Sequence, residues 1–370
     1  MRAYTPRMLP VLVAVCGLPI GTLTHAAEVT DIPKRGGLYA SIGYDGNAYR
    51  GEMEEDGVRI GERLESVHEL ELATEYGVAK GFTLGASLRY APANRFSFPD
   101  VRPMRFDPAT LKGTYLVGEP PSEPLSYDMS GLSGACFGFQ LQPSLWTPNP
   151  RATATVWLVG ASFQLPSPNN NLWTHTEGQR GTGPGNMVTR LEGSLSKRRG
   201  ISDAYMQVRA ELGAPVTMDI VDADGQTLST KADIQPPRSV STRTGLEFDL
   251  WGTALQTLGT LDVSLVAAYT TWGDIGSGVY LPEVLPASRG VVVTRSESLR
   301  VGGQLGGHLY DASGWTVHAH GGWTWETPYR PEHVYPDIRM TTKNANIHWS
   351  LTLERRFAPS RRMIELDDAS

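Results

Sequence analysis

The chain is short of cysteine, of basic runs and of long apolar stretches, and each shortage excludes a class of protein. Cys16 and Cys136 are its two cysteines in 370 residues. Cys16 falls in a leader-like N-terminus, so the rest of the chain holds one cysteine and has no partner for an internal disulfide. Cys136, next to Phe137, reads as a small apolar side chain rather than a nucleophile. The formal net charge is −6 and no long block of lysine and arginine occurs, which argues against nucleic acid as a partner. Beyond residue 23 no run approaches the ~20 apolar residues of a membrane helix. A mean hydropathy of −0.26 fits a water-soluble protein. It fits equally well a membrane wall whose strands alternate lipid-facing and water-facing residues.

What is present begins with an export signal. Arg2 and Arg7 precede an apolar stretch over 8–23, interrupted by Gly17, Pro19, Gly21 and Thr22, and Thr24-His25-Ala26 offers a cleavage site. Residues 1–26 are therefore expected to be a cleaved signal peptide. The apolar stretch is too short and broken for an anchor helix. Val15 stands before Cys16 where a lipoprotein signal wants a small residue. The 40 glycines and nine tryptophans suit strands and turns better than helix interiors.

Apolar residues recur at every second position along most of the chain. The stripes are Leu38, Ala40, Ile42 and Tyr44; Leu70, Leu72 and Tyr76; Phe82, Leu84, Ala86, Leu88 and Tyr90; and Phe137, Phe139 and Leu141. They continue at Trp157, Val159, Ala161, Phe163 and Leu165; Met187, Leu191 and Leu195; and Ala204, Met206, Val208, Ala210 and Leu212. Further stripes are Leu246, Phe248 and Leu250; Leu261, Val263, Leu265, Ala267 and Tyr269; and Leu299, Val301, Leu305 and Leu309. The last two are Trp315, Val317, Ala319, Trp323 and Trp325, and Ile347, Trp349, Leu351 and Leu353. Period two means strands with one greasy and one polar face, and there are about twelve of them.

The connections alternate in length. Short turns are expected at 77–81, 147–150, 197–200, 254–260 and 311–314, and long ones at 45–63, 91–130, 166–186, 213–241, 272–291 and 327–343. Short turns on one side and long loops on the other are the habit of outer-membrane barrels. The parity puts both chain ends on the short-turn side, the periplasm. The expected fold is all-β, a transmembrane up-and-down antiparallel barrel of about twelve strands over 27–357. A charged tail follows over 358–370, with disorder expected there.

If the stripes face lipid, the other phase faces inward. The candidate lumen-lining residues are Glu69, Glu71, Glu75, Arg89, Arg190, Glu192, Arg209, Glu211, Glu247, Asp249, Asp262, Arg300, His318 and His320. His308 and Glu326 share the phase. Charges at such depth must be wet or paired. Folding at 197–200 sets Arg190 against Glu211 and Glu192 against Arg209, and folding at 77–81 brings Glu69 towards Arg89. These pairs either brace the interior or line a path that selects by charge. Their mixed signs argue against a strong preference for cations or anions. Twelve strands is intermediate between filled eight-stranded barrels and wide porins.

No catalytic or cofactor motif is complete. His318-Ala319-His320 puts two imidazoles on one strand face, but a zinc or copper site needs further ligands, with Glu326 and His348 as neighbours to consider. Asp222-Ala223-Asp224-Gly225 opens like a calcium loop, yet Ile234 stands at the twelfth position where glutamate belongs. Gly181-Thr182-Gly183-Pro184-Gly185 lacks the lysine and the helix of a phosphate loop. His348-Trp349-Ser350 is the nearest approach to the His-x-Ser-Asn-Gly pattern of outer-membrane phospholipases, and Leu351 follows it. No cofactor and no enzyme activity are expected.

Two resemblances add to this. The final strand, through Ile347, Trp349, Leu351 and Leu353 to Phe357, resembles the terminal strand by which outer-membrane barrels are recognised by the barrel-assembly machinery. In this chain 13 residues follow the aromatic, whereas the family usually stops there. Trp157–Pro166 with Leu165-Pro166, the Gly-rich 181–185, and a strand ending Ser196-Lys197-Arg198 resemble a stretch of the outer-membrane channels associated with the meta-pathway of phenol degradation. That resemblance implies uptake of small, often hydrophobic or aromatic compounds. The expected role is a channel for passive passage of small solutes. A barrel hydrolase acting on lipid or peptide, or an adhesive barrel acting through its outer loops, are the alternatives. The expected partners are outer-membrane lipid, the assembly machinery and a small solute.

This reading is checked by circular dichroism and gel migration of the detergent-purified protein. A β-sheet spectrum and a folded form that migrates differently until boiled are expected, and a helical spectrum refutes it.

Overall fold

A computed structural model describes residues 32–55, 58–100, 104–107, 112–115, 125–146, 155–166, 186–199, 201–221, 227–234, 238–250, 259–272, 296–310, 315–327, 338–341 and 346–357. The expected signal peptide, the tail after Phe357, the Asp222–Gly225 run and the Gly181–Gly185 run lie outside them. Within them the chain is all strand apart from a short 3-10 turn at Pro143–Trp146, and no helix is long and apolar enough to cross a membrane.

The strands in chain order are β1 (Leu38–Glu55), β2 (Val58–Ala79), β3 (Phe82–Phe98), β4 (Met104–Asp107), β5 (Lys112–Tyr115), β6 (Leu125–Leu141), β7 (Val156–Gln164), β8 (Val188–Arg199) and β9 (Ser202–Gly213). After them come β10 (Val216–Val221), β11 (Thr227–Ile234), β12 (Arg238–Asp249), β13 (Thr260–Trp272), β14 (Ser296–Tyr310), β15 (Trp315–Glu326), β16 (Ile338–Thr341) and β17 (Asn346–Phe357). Twelve of these form one antiparallel ring, β1-β2-β3-β6-β7-β8-β9-β12-β13-β14-β15-β17, which closes where β17 pairs back onto β1. Closure leaves no free edge, the condition under which strands can cross a bilayer. The other five strands belong to long connections. β4 pairs with β5, β10 pairs with β11, and β16 adds to the far end of β1.

From β2 onward, shorter and longer connections alternate round the ring. The first and last barrel residues meet at the short-turn rim, where Leu38 faces Phe357. Gly81, at φ +72°, makes the tight turn between β2 and β3, and its carbonyl accepts from the amide of Gln142 at 2.8 Å. Only glycine takes that conformation without cost.

Burial is inverted relative to a soluble protein. Leu265, Trp323, Leu72 and Leu351 are 72%, 56%, 55% and 53% exposed on the outside, while Asp262 and Arg243 are 0% and 1% exposed on the inside. The alternating stripes are the outer surface. Trp146, Trp157, Trp315 and Phe357 ring it near the short-turn rim, and Tyr269 and Trp325 lie towards the other. Aromatic girdles at two heights and an apolar band between them make a lipid-facing wall.

The expected long loop over 45–63 is not one. β1 and β2 pair continuously up to Glu55 and Val58. Above the lipid band a strand needs no greasy face, so no apolar stripe marks it. Register there is held by the backbone ladder and by ion pairs of Arg50 with Glu62 and of Arg59 with Glu52 and Asp100. Likewise β3 runs on to Phe98 and β6 starts at Leu125 within the expected loop 91–130, and β10 and β11 occupy much of 213–241. β8 runs on through the turn expected at 197–200 to Arg199, which pairs with Ser202.

Several interior side chains lie across a glycine of the neighbouring strand. A Cβ on Gly245 would stand 2.6 Å from Tyr205 Oη and 2.7 Å from the carbonyl oxygen of Val263, whereas one on Gly193 would meet nothing within 4 Å. Gly245→Leu should abolish the heat-modifiable folded band on refolding, because the obstructing group is in part backbone. Gly193→Ala should refold like the parent, and the same gel decides both.

Candidate functional site

The candidate site is the interior of the ring, and it has two zones. One is solid. Across β9, β12 and β13, Arg243 Nη2 donates to Asp262 Oδ1 at 2.6 Å, Tyr205 Oη donates to Asp262 Oδ2 at 2.6 Å, and Arg243 Nε donates to Ser264 Oγ at 3.0 Å. The guanidinium also lies 5.6 Å from the centre of the Tyr205 ring. Both charged side chains are fully buried. Such a buried pair is tolerated where its remaining polar atoms find partners too. His308 continues the block. Its ring nitrogens lie within 3.0 Å of Thr260 Oγ1, Nε2 is 4.0 Å from Glu247 Oε1, and its ring centre is 5.3 Å from that of His318. Arg300 Nη2 meets Glu326 Oε2 at 3.3 Å, and Ser298 Oγ donates to Glu326 Oε1 at 2.8 Å. Asp249 ends β12 opposite Thr260.

The other zone encloses a cavity of about 210 Å³ towards the short-turn rim. Its wall includes Ser41, Glu71, Glu75, Thr83, Arg89 and Glu354 on one side and Leu158, Arg190, Glu192, Gln207 and Arg209 on the other. Arg89 Nε lies 3.0 Å from Glu71 Oε1 and 3.4 Å from Glu69 Oε1, and Ser133 Oγ donates to Glu69 Oε2 at 3.2 Å. Arg190 faces Glu211 and Glu192 faces Arg209. Arg190 Nε donates to Glu211 Oε1 at 2.7 Å and Arg209 Nη2 to Glu192 Oε2 at 3.0 Å. Arg190 also donates to Gln164 Oε1 at 2.5 Å and points Nη1 at Cys136 Sγ, 3.7 Å away. Cys136 is thus a buried thiol in a polar setting, not the apolar filler its neighbour Phe137 suggests; Phe137 points outward and is 52% exposed.

His318 and His320 follow the inward phase of β15. His318 faces His308 of β14, and His320 lies over Gly306 and pairs in register with Ser350. Among the described residues no group of three or more His, Cys, Asp or Glu is placed to hold a metal ion. Ser350 sits between Asp45 of β1 and His320 of β15. A nucleophile–base–acid relay needs the histidine in the middle, so this register does not build one.

The sequence reading missed Asp45, Tyr205, Arg243 and Glu354. Arg243 and Tyr205 are in phase with Glu247 and Arg209, and strict alternation finds them. Glu354 is in phase with Thr352, one residue past the last apolar position, where the stripe stops giving a guide. Asp45 was placed at the start of a loop. Pairing with Glu69 of β2 shows it inside the ring.

Neither a protein-family model nor a curated protein sequence matches the chain. Solved structures do match in fold. An outer-membrane channel of Pseudomonas putida F1 superposes with a TM-score of 0.51 at 12% identity, covering 90% of this chain and 99% of that one. The transport unit of the autotransporter AIDA-I of Escherichia coli gives 0.42 at 10%, covering 96% and 99%. The toluene transporter TodX of P. putida gives 0.38 at 11%, covering 87% and 90%. The first of these shows a common barrel fold.

Asp262→Ala leaves Arg243 charged and buried without its partner. It should cost about 3–5 kcal/mol, read as a lower urea midpoint for loss of the heat-modifiable form. An unchanged midpoint contradicts the packed block described above.

Proposed function

We propose that the protein is an outer-membrane channel through which small solutes pass passively. The observation that carries this reading is the inverted wall: an apolar, aromatic-ringed outside around a polar interior that is filled on one side and hollow on the other. A structural barrel needs no cavity, and a barrel of twelve strands is wide enough to keep one.

On this reading the short-turn rim, with both ends of the barrel chain, faces the periplasm. Residues 1–26 direct export and are removed. The strand ending at Phe357 is the one the barrel-assembly machinery reads, and its apolar face, like that of its neighbours, lies against outer-membrane lipid. The fourteen inward residues anticipated from the sequence divide between two tasks. Asp262, Glu247, Asp249, Arg300, His318 and His320 belong to the filled side. Glu71, Glu75, Arg89, Arg190, Glu192 and Arg209 line the hollow side, and Glu69 and Glu211 hold Arg89 and Arg190 in place there. The resemblance to phenol-pathway channels makes small aromatic compounds the first solutes to test. No catalytic step is assigned to any residue.

Purified, refolded protein added to a planar lipid bilayer should give discrete conductance steps. Proteoliposomes should take up a small aromatic solute faster than a disaccharide. Folded protein that inserts without conductance contradicts the proposal.

A further inference from the structure

Charge is unevenly spread round the cavity. On the β8–β9 side each arginine has its own carboxylate, Arg190 with Glu211 and Arg209 with Glu192, and the wall is balanced. On the β17–β1–β2–β3 side, Glu71, Glu75, Glu354 and Arg89 line the cavity, with Glu69 beside Arg89 and Arg356 beside Glu354. Four carboxylates against two guanidiniums leave a formal surplus of two negative charges. Arg356 is engaged by Glu354 at 2.6 Å and lies over the Tyr39 ring. Arg89 is already divided between Glu69 and Glu71.

A second observation points the same way. Thr83, 1% exposed and part of the cavity wall, has a buried hydroxyl with no hydrogen-bond partner among the described residues. Asp45, opposite Glu69, has a carboxylate oxygen, Oδ2, in the same condition. These are oxygen atoms with free lone pairs and no partner among the described residues, beside an acidic wall. Crowded carboxylates repel unless positive charge comes between them. Arg89 supplies part of it, and a cation from solution supplies more where one enters.

The packed Arg243–Asp262–His308 block occupies the β12–β14 side of the interior, which confines a solute to the cavity between the acidic wall and the balanced one. A narrow path between low-dielectric walls focuses the field of its lining charges. We propose that this wall makes the channel prefer cations, so that its solutes are small positively charged species, protonated amines included. The inference rests on the channel reading above and goes beyond the mixed-sign interior expected from the sequence. That expectation counted charges along the strands, whereas selectivity follows from where they meet.

The test is the reversal potential of the full-length refolded protein in a bilayer across a potassium chloride gradient. At ~0.1 M salt, potassium should be favoured over chloride by about fivefold or more. Near 1 M, where the screening length is about 3 Å, the ratio should fall towards ~1. Glu69→Gln/Glu71→Gln should cut the low-salt preference to about twofold or less while conductance persists. Glu75→Gln, which leaves both Arg89 ion pairs in place, should lower it by a smaller factor and serves if the double variant does not fold. A conducting channel with no preference, or one for chloride, overturns this inference and leaves the channel reading standing. A potassium preference that neither folded variant changes overturns the assignment to this wall. Folded, inserted protein that conducts nothing overturns the channel reading and this inference with it.

Discussion

The structure depends on one constraint: in hydrocarbon, every backbone amide and carbonyl must find its partner within the protein. Twelve strands meet it by pairing in a ring, with β17 returning to β1 through an eleven-pair register from Leu38–Phe357 to Ala48–Ile347. Once the ring is closed, the period of the strand does the rest. Successive side chains face opposite ways, so a wall with lipid outside must carry its polar residues inside.

That interior poses the second problem. Charged groups withdrawn from water must be paired or wet, and here both solutions appear in one cross-section. Arg243, Asp262, Tyr205 and Ser264 satisfy one another. On the other side of the ring, glycines and small residues such as Gly43, Gly85, Ser87, Gly138, Gly160 and Ser162 leave room instead. The hollow is therefore a matter of side-chain volume at inward positions. Its charge is set by which acids share it.

Interior glycines link packing to position. Tyr205 reaches Asp262 because Gly245, between them, has no Cβ to obstruct it, and His348 lies over Gly322 in the same manner. A bulky polar residue beside a bare neighbour is how a wall one residue thick fills its own interior without a separate plug. The same device works on the outside, where Trp349 covers Gly46.

Much of this was legible in the sequence, and the reason is local. Alternation is a property of a single strand, so Leu84-Gly85-Ala86-Ser87-Leu88 declares its two faces without knowledge of its neighbours. The count of stripes then gave about twelve strands, and their even number put both ends of the barrel chain at one rim, where Leu38 faces Phe357. A short turn also fixes the register beyond it, which is why the facing of Arg190 with Glu211 could be read from 197–200 although β8 itself runs on to Arg199. The sequence alone could not carry pairing beyond the lipid band, where both faces of β1 and β2 are polar and no stripe remains. Nor could it carry contacts between strands far apart in the chain. Asp45 meets Glu69 across a hairpin that looked like a loop, and Glu354 joins Glu71 and Glu75 on the cavity wall only when the last strand closes on the first. Which strand faces lipid on which side is written in each segment. Which charges stand together, and where space is left among them, is decided only by closure of the ring.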